Sequence, residues 1–459
     1  MRQNRIKLFL VAMSFFIFSF FSHRVHAATY YVSTNGNDVN SGTSNLPFKT
    51  IQHAADIVRP GDTVIVEDGT YVSSNDVAEV TITTSGSASA PITFKSKNKW
   101  GAVISGSSSF GIYLLGSYIN VTGFKVEGFH FIGIYGGGGG GNYYISDNNV
   151  GPIAQYGAGS NGAAGIDFNS SSGSNTIIDG NVVHDVGGGS DCTSNWNSCA
   201  DHGIDYEYGN SSNITIINNV CYNNTRGWDV QFYGGSRNNV NIVGNVFAST
   251  NPLRSGQIII AEPVSNLLIA DNIFYHPGVY EGNYAVVDDH ASSGYVLKYN
   301  LTTVSAMDNR STVGTSNILN IDPSFVSPSN YDFHLQSDSP AIGKGIAWSG
   351  RAYDADGKTL PNTPDVGAYE YGSSVSSSSN SSSSSDSQNN SSASQTSSNP
   401  SDSSTINAQQ PTDDASGKSY SITDALKLVA GWFAGNLSSD VNNDGVVNIQ
   451  DLGIIMSRW

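Results

Sequence analysis

The sequence predicts an all-β protein built as a parallel β-solenoid, and three observations support this. The 459 residues include 50 Gly and 23 Tyr but only 13% charged residues, a composition typical of turn-rich β proteins. A short apolar run followed by a turn Asn recurs at intervals of 26 to 38 residues. Units of this length are too short for the four strands of a propeller blade. The recurring residues are Asn149, Asn181, Asn219, Asn245, Asn272 and Asn300. We expect stacked coils with these Asn side chains hydrogen-bonded in a column.

The first element is a predicted secretory signal, residues 1–27. Arg2, Arg5 and Lys7 precede an apolar run, Leu8–Phe21, and a small-residue cleavage site ends at Ala27. A run of 14 residues is short for a membrane span of about 20, so we expect cleavage rather than anchoring, and no membrane association afterwards. Removal of the four signal cations takes the formal charge from −17 to −21. Such acidity excludes nucleic acid as a partner and fits a secreted, extracellular or cell-surface protein.

The β domain is predicted to span residues 28–371, with a cap and two insertions. Pro47–Val58 carries apolar residues at helical spacing and is expected to form a short helix that covers the open end of the solenoid. The two longest repeat intervals predict loops inserted at Gly136–Gly141 and at Gly187–Ala200.

Short segments at both ends of this domain resemble the opening and closing segments of secreted right-handed parallel β-helix proteins of the pectate-lyase-like superfamily. The segments are Tyr30–Asp38, Pro47–Ile51, Pro60–Val64, Asp68–Tyr71, Ile321–Phe325, Ser339–Gly343 and Asp365–Tyr371. The resemblance covers nearly all of residues 28–371 and implies a right-handed parallel β-helix. It does not fix the reaction, because this fold hosts lyases, hydrolases, epimerases and passive adhesins.

Alignment of the coils on the turn Asn predicts a column of carboxylates. It stacks Asp167, Asp205 and Asp229 on neighbouring coils about 4.8 Å apart, with Glu207 beside them, and strand alternation points all of them outward. Stacked carboxylates repel and raise one another's pKa. The alternative is a solvated acidic face without catalytic use.

Two reactions fit such a column. One is β-elimination on a uronic acid polymer, in which calcium neutralises the sugar carboxylate and a base removes the adjacent proton. The other is glycoside hydrolysis by an acid and a base or nucleophile. A non-catalytic carbohydrate-binding or adhesion solenoid is the alternative from another class.

Residues 201–232 resemble the calcium-dependent pectate lyases of polysaccharide lyase family 9. The resemblance places Asp201 and Asp229 near that family's calcium-binding aspartates and implies Ca²⁺ as a cofactor. The family's catalytic Lys, which follows a Gly-Phe pair on the next coil, has no counterpart in Gly256-Gln257-Ile258. Arg226, Arg254 and His202 are the alternative candidate bases.

The remaining chain divides into a Ser/Asn-rich linker, residues 372–412, and a small module, residues 413–459. The loop Asp440–Asp451 has the ligand spacing of a calcium-binding loop, with Gly445 at the sharp turn. Its predicted ligands are Asp440, Asn442, Asp444, the Val446 carbonyl, Asn448 and Asp451. A second copy 27 residues earlier lacks ligands. The duplicated loop-helix pattern resembles a dockerin, which implies a small all-α calcium-binding domain and a cohesin as partner.

Together these features predict a secreted polysaccharide-degrading enzyme. A calcium-dependent lyase of the pectate-lyase type is the leading expectation. A glycoside hydrolase using the Asp column, or a non-catalytic binding solenoid, remains the alternative.

Overall fold

The computed structural model describes residues 27–72, 77–155, 162–169, 172–188, 200–280, 282–310 and 316–372. The predicted signal up to residue 26, the linker after residue 372, the C-terminal module with all six of its calcium ligands, and most of the insertion before residue 200 lie outside these ranges. Within the described residues, no helix has both the length and the apolar character needed to cross a membrane.

The described chain contains thirty-two strands, one α-helix and a 3₁₀ turn. The elements are β1 (Thr29–Val32), α1 (Ile51–Ile57), β2 (Thr63–Val66), β3 (Gly69–Tyr71), β4 (Ala78–Ile82), β5 (Ile92–Ser96), β6 (Ala102–Ser105), β7 (Phe110–Leu114), β8 (Ile119–Thr122), β9 (Lys125–Glu127), β10 (Ile132–Gly136), β11 (Tyr143–Ser146), β12 (Asn149–Val150), β13 (Ala164–Asn169), β14 (Thr176–Asp179), β15 (Val182–His184), β16 (His202–Glu207), β17 (Ser211–Ile217), β18 (Val220–Tyr222), β19 (Val230–Tyr233), β20 (Arg237–Val243), β21 (Val246–Ala248), β22 (Ser255–Gly256), β23 (Ile258–Ile260), β24 (Val264–Ala270), β25 (Ile273–Phe274), β26 (Gly278–Val279), β27 (Tyr284–Asp288), β28 (Val296–Lys298), β29 (Leu301–Thr302), β30 (Ala306–Asp308), β31 (Phe325–Ser327), the 3₁₀ turn Pro328–Asn330 and β32 (Asp332–Leu335).

Twenty-eight of these strands form three parallel sheets, which confirms the predicted parallel solenoid. Sheet 1 has the order β1-β2-β5-β8-β11-β14-β17-β20-β24-β28, sheet 2 the order β4-β7-β10-β13-β16-β19-β23-β27-β30, and sheet 3 the order β3-β6-β9-β12-β15-β18-β21-β25-β29. Each strand pairs with the equivalent strands of the coils before and after it, so one residue position generates a column along the solenoid axis.

The interior is filled by stacked apolar side chains. The rings of Phe168, Tyr206 and Phe232 in sheet 2 stack with centroid separations of 5.0 and 5.6 Å, and Tyr143 at the start of β11 in sheet 1 stacks on Phe168 at 5.7 Å. These separations are close to the spacing of neighbouring coils, so each ring packs on the ring of the next coil.

A ladder of buried Asn side chains fixes the turn between sheets 1 and 3. Each Nδ2 donates to the Oδ1 of the next Asn at 2.9 to 3.1 Å. The members are Asn148, Asn181, Asn219, Asn245, Asn272, Asn300 and Asn317. Five of the six predicted members are therefore confirmed, and Asn317 is a further member that the repeat did not predict. Asn149 is wrong because it begins β12 and pairs with Val182, which leaves Asn148 at the turn.

The predicted cap helix is present as α1, with narrower bounds. Thr50 caps it, since its Oγ1 accepts a hydrogen bond from the His53 amide at 3.2 Å. Ile51, Ala54 and Ala55 are buried, as the helical spacing predicts. Ile57 belongs to the same predicted apolar face but is 37% exposed, so this part of the prediction is wrong.

The closing segment covers part of sheet 3. Phe325, Phe333 and Leu335 of the β31–β32 hairpin join an apolar cluster with Val220, Val246, Ile273 and Leu301. The last four are the first residues of consecutive sheet 3 strands, so the hairpin packs along their column.

Candidate functional site

The outer face of sheet 2 carries one polar column across five coils. Its register is Tyr113, Tyr135, Asp167, Asp205 and Gln231, each paired with the next. The residues just before these positions, Ile112, Ile134, Ile166, Ile204 and Val230, are buried in the core. Alternation therefore directs the column residues away from the core, as predicted for Asp167 and Asp205.

The predicted third carboxylate of the column is wrong. Gln231, not Asp229, pairs with Asp205, because Val230 rather than Trp228 lies beside Ile204. Asp229 precedes β19 and occupies a separate buried position. The sequence alignment was displaced by two residues, which leaves the inside-outside pattern unchanged.

The carboxyl groups of Asp167 and Asp205 are buried. The alternative interpretation of the column as a solvated acidic face is therefore excluded. Asp167 is 3% and Asp205 is 1% exposed. Burial, and secondly the charge of Asp205, raises the pKa of Asp167 well above its ordinary value. Burial, and secondly the charge of Glu207, does the same for the pKa of Asp205. Both carboxyls are therefore harder to ionise than an exposed Asp, and the ionised form of Asp205 further disfavours ionisation of Asp167.

Hydrogen bonds distinguish the two members of the pair. Each carboxyl accepts a hydrogen bond from the amide of the residue that follows it, but among the described residues only Asp205 has a side-chain donor, Gln231 Nε2, which lies 3.3 Å from both of its oxygens. Asp167 Oδ1 is buried and has no hydrogen-bond partner in the part of the chain that the structure describes. The ionised form of Asp205 is therefore better stabilised by hydrogen bonds than that of Asp167.

Glu207 and Asn169 form the solvent side of the pair. They lie two residues beyond Asp205 and Asp167, in register with each other, and both are half-buried. Asn169 Nδ2 is 3.4 Å from Glu207 Oε2. Burial raises the pKa of Glu207.

Aromatic side chains lie on the two coils before the pair and at the C-terminal ends of β16 and β19. On the N-terminal side Phe110, Tyr113 and Tyr135 stack, with centroids 4.6 Å apart for Phe110–Tyr135 and 5.0 Å for Tyr113–Tyr135. Burial and the charge of Asp167 raise the pKa of Tyr135 to about 12. At the strand ends Tyr208 and Tyr233 are 52% and 41% exposed, with centroids 5.6 Å apart. The sequence contains a pattern that could have predicted Tyr113 and Tyr135. Gly-Ile-Tyr at 111–113 and 133–135 matches Gly-Ile-Asp at 165–167 and 203–205, with Tyr in the position of the column Asp.

Asp201 lies apart from the column and forms a buried ion pair. Its Oδ2 is 3.0 Å from Arg226 Nε, and its Oδ1 accepts a hydrogen bond from the Ala163 amide. Burial raises the pKa of Asp201 to about 6, although the Arg226 charge opposes this. Arg226 is 4% exposed and engaged by this carboxylate, which makes it a poor catalytic base.

Asp229 is held by neutral donors. Asn224 Nδ2 donates to its Oδ1 at 2.9 Å, and Ser249 donates through its hydroxyl and its amide. Burial raises the pKa of Asp229 to about 7. The side chain is fully buried and ties the turns at Asn224 and Ser249 to the start of β19.

The other two candidate bases form a stack beside the column. The His202 ring stacks on Trp228 at 5.8 Å, and the Arg254 guanidinium lies 4.7 Å from the Trp228 ring centroid. His202 Nδ1 accepts a hydrogen bond from the Trp228 amide. Burial, reinforced by the Arg254 charge, lowers the pKa of His202 to about 3, so it is neutral at physiological pH.

The donors around Asp201 and Asp229 do not fit the calcium ion implied by the sequence resemblance. Calcium takes six to eight oxygen ligands. Here the carboxylates face a guanidinium, an amide side chain, a hydroxyl and backbone N–H groups. Among the described residues, no group of three or more His, Cys, Asp or Glu side chains is arranged to hold a metal ion.

Comparison with known proteins agrees with this architecture. Residues 30–237 match the family model described as Pel9A-like, right handed beta helix region. A crystal structure of pectate lyase Pel9A superposes with a TM-score of 0.52 at 17% identity, covering 76% of this chain and 98% of that one. The chain has the pectate-lyase-like β-helix fold.

Two curated relatives match shorter stretches. An uncharacterized protein of Bacillus subtilis (strain 168), YwoF, is 42% identical over 78 residues, which are 17% of this chain and 16% of the relative. Pectate lyase PEL9 of Emericella nidulans is 33% identical over 97 residues, which are 21% of this chain and 23% of the relative. The chain thus spans less than a quarter of the length of these relatives.

Proposed function

We propose that this protein is a polysaccharide-cleaving enzyme in which Asp167 is the acid and Asp205 is the nucleophile or base. The observation that carries the proposal is the register of this buried carboxyl pair on the outer face of sheet 2, beside two sets of aromatic side chains. Aromatic faces stack on sugar rings, and a carboxyl pair with separated protonation states supplies acid and base together.

Glycoside hydrolysis is the reaction that this geometry supports best. The protonated Asp167 donates its proton to the glycosidic oxygen as the bond breaks. The ionised Asp205, stabilised by Gln231, attacks the anomeric carbon and forms a glycosyl ester. Asp167, now ionised, takes a proton from the water that displaces Asp205 from this carbon, which frees the sugar and restores both carboxyls. Residues in register on adjacent strands lie about 4.8 Å apart, which is close to the carboxyl separation of about 5 Å found in retaining enzymes. We therefore expect retention of anomeric configuration.

A second candidate is β-elimination on a uronic acid polysaccharide, as the sequence predicts. The match of residues 30–237 to the Pel9A-like family model favours it. In this reaction Asp205 is the base that removes the proton next to the sugar carboxylate, and Asp167 protonates the leaving oxygen.

Conservative substitutions test the proposal. Asp167→Asn and Asp205→Asn in the full chain are each expected to lower kcat at least 100-fold, because each removes one partner of the acid–base pair. Asp179→Asn is the matched control, since Asp179 also has its pKa raised by burial but lies in sheet 1. Reducing ends without ultraviolet absorbance indicate hydrolysis, and both signals together indicate elimination. Unchanged turnover in both column variants would refute the assignment.

The terminal segments complete the proposal. We propose that the protein is exported through residues 1–27 and that residues 413–459 form a dockerin-like module. This module binds calcium through Asp440–Asp451 and docks onto a cohesin-bearing protein. The proposal is supported by the ligand spacing of this loop and by the duplicated loop-helix pattern.

A further inference from the structure

We propose that the outer face of sheet 2 around Asp167 and Asp205 accepts uncharged glycans and discriminates against polyuronates. This inference rests on the proposed function and names the substrate class of the same site. It follows from the distribution of charge over the three sheets.

The strands of sheet 2 carry carboxyl groups but no Lys or Arg, although Arg310, two residues after β30, pairs with Asp288 at 3.1 Å. The nine strands of this sheet contain six carboxyl side chains. The six are Glu79, Asp167, Asp205, Glu207, Asp288 and Asp308. The strands of sheets 1 and 3 show the reverse balance, with four cations and two carboxyls. The cations are Lys95, Lys125, Arg237 and Lys298, and the carboxyls are Asp179 and Glu127.

The cations nearest to the pair are directed elsewhere. Arg237 is 2% exposed, and its guanidinium donates to the backbone carbonyls of Tyr206, Gly209 and Tyr233. It offsets part of the charge of the pair from inside and is not presented to a ligand. Arg226 pairs with Asp201, and Arg254 lies on the Trp228 ring.

The segments of the β domain that lie outside the described residues contribute no cation. Residues 73–76, 156–161, 170–171, 189–199, 281 and 311–315 contain neither Lys nor Arg. A polyuronate carries one negative charge on each sugar, and binding it here would place carboxylates beside carboxylates whose ionisation is already disfavoured. A neutral sugar meets hydrogen-bonding groups and aromatic faces without this repulsion.

Matched polymers that differ only in charge test the inference. The full chain is assayed with polygalacturonate and its methyl ester, with glucuronoxylan and its carboxyl-reduced form, and with neutral xylan, arabinan and galactan. Reducing ends, ultraviolet absorbance and binding by affinity electrophoresis are followed for each polymer. We expect kcat/KM and affinity to be at least tenfold higher for the neutral member of a recognised pair. Asp167→Asn combined with Asp205→Asn should raise polyuronate binding at least tenfold. Lys95→Gln on sheet 1 should leave the preference unchanged.

The outcomes separate the two proposals. Turnover of a polyuronate that equals or exceeds turnover of its neutral form, and that is lost in Asp205→Asn, overturns the neutral-substrate inference and leaves the enzyme assignment standing. Absence of both cleavage and binding for every polymer overturns the enzyme assignment, and the inference with it.

Discussion

The substitution Asp229→Asn tests whether Asp229 is a structural carboxyl rather than a member of the site. Burial raises its pKa from 3.8 to about 7. One pKa unit corresponds to about 1.4 kcal/mol, so ionisation of Asp229 costs the folded state about 4 kcal/mol. Because the pKa is raised in the folded state, the protonated carboxyl stabilises the fold relative to the ionised one. This stabilisation is fully present below pH 3.8 and is lost as the pH rises through about 7.

Denaturant unfolding of the wild type and of Asp229→Asn, measured between pH 4 and pH 8, isolates this contribution. Asn does not ionise, so the free energy of unfolding of the variant should fall by about 4 kcal/mol less than that of the wild type over this range. Loss of one acceptor for Ser249 lowers the free energy of unfolding of the variant by about 1 kcal/mol at every pH, and it does not change how this free energy depends on pH. Asp338→Asn, at an exposed carboxyl, is the control and should run parallel to the wild type. Parallel curves for Asp229→Asn would refute the assignment, as would a loss of kcat comparable to that of Asp205→Asn.

Three further predictions concern the ladder, the closing segment and the C-terminal module. Asn219→Ala should lower the free energy of unfolding by about 3 kcal/mol or more, because it leaves the buried Asn181 amide and neighbouring carbonyls unpaired. Asn241→Ala in β20 is the control, and equal effects would contradict the role of the ladder. The pKa of His334 is raised by its hydrogen bonds to two carboxylates, so its stabilising contribution is present below pH 6.5 and lost as the pH rises above it. The thermal unfolding midpoint of His334→Gln should therefore change less than that of the wild type as the pH rises above 6.5. Identical plots of midpoint against pH would contradict a stabilising contribution from His334. Calorimetry should detect one Ca²⁺ per chain, since only one loop carries a full ligand set, and binding should disappear in Asp440→Asn.

The sequence predicts the solenoid because its signal is repeated. The turn Asn and the apolar runs recur in coil after coil. An error in one coil therefore does not change the predicted fold, because the other coils still show the repeat. The error at Asn149 arose where two Asn residues are adjacent and either one fits the pattern locally. Pairing of Asn149 with Val182 decides the choice, and pairing is a non-local property.

The error at Asp229 has a different cause. A shift of two residues preserves which side chains face the core, so alternation cannot detect it. Counting from the ladder detects it, because Asp167, Asp205 and Gln231 each precede the next ladder Asn by 14 residues, whereas Asp229 precedes it by 16. Burial of the pair and the partners of Asp201 and Asp229 depend on contacts between coils, which the sequence pattern does not encode.

The ladder has a consequence for how such a protein acquires new specificity. Consecutive members are 17 to 38 positions apart in the sequence, yet the hydrogen bonds that join them stay between 2.9 and 3.1 Å. Differences in coil length are therefore absorbed away from this corner, without displacing the stacked strands. Natural variation can therefore lengthen, shorten or exchange the loops that join the strands while the stacked strands keep their geometry.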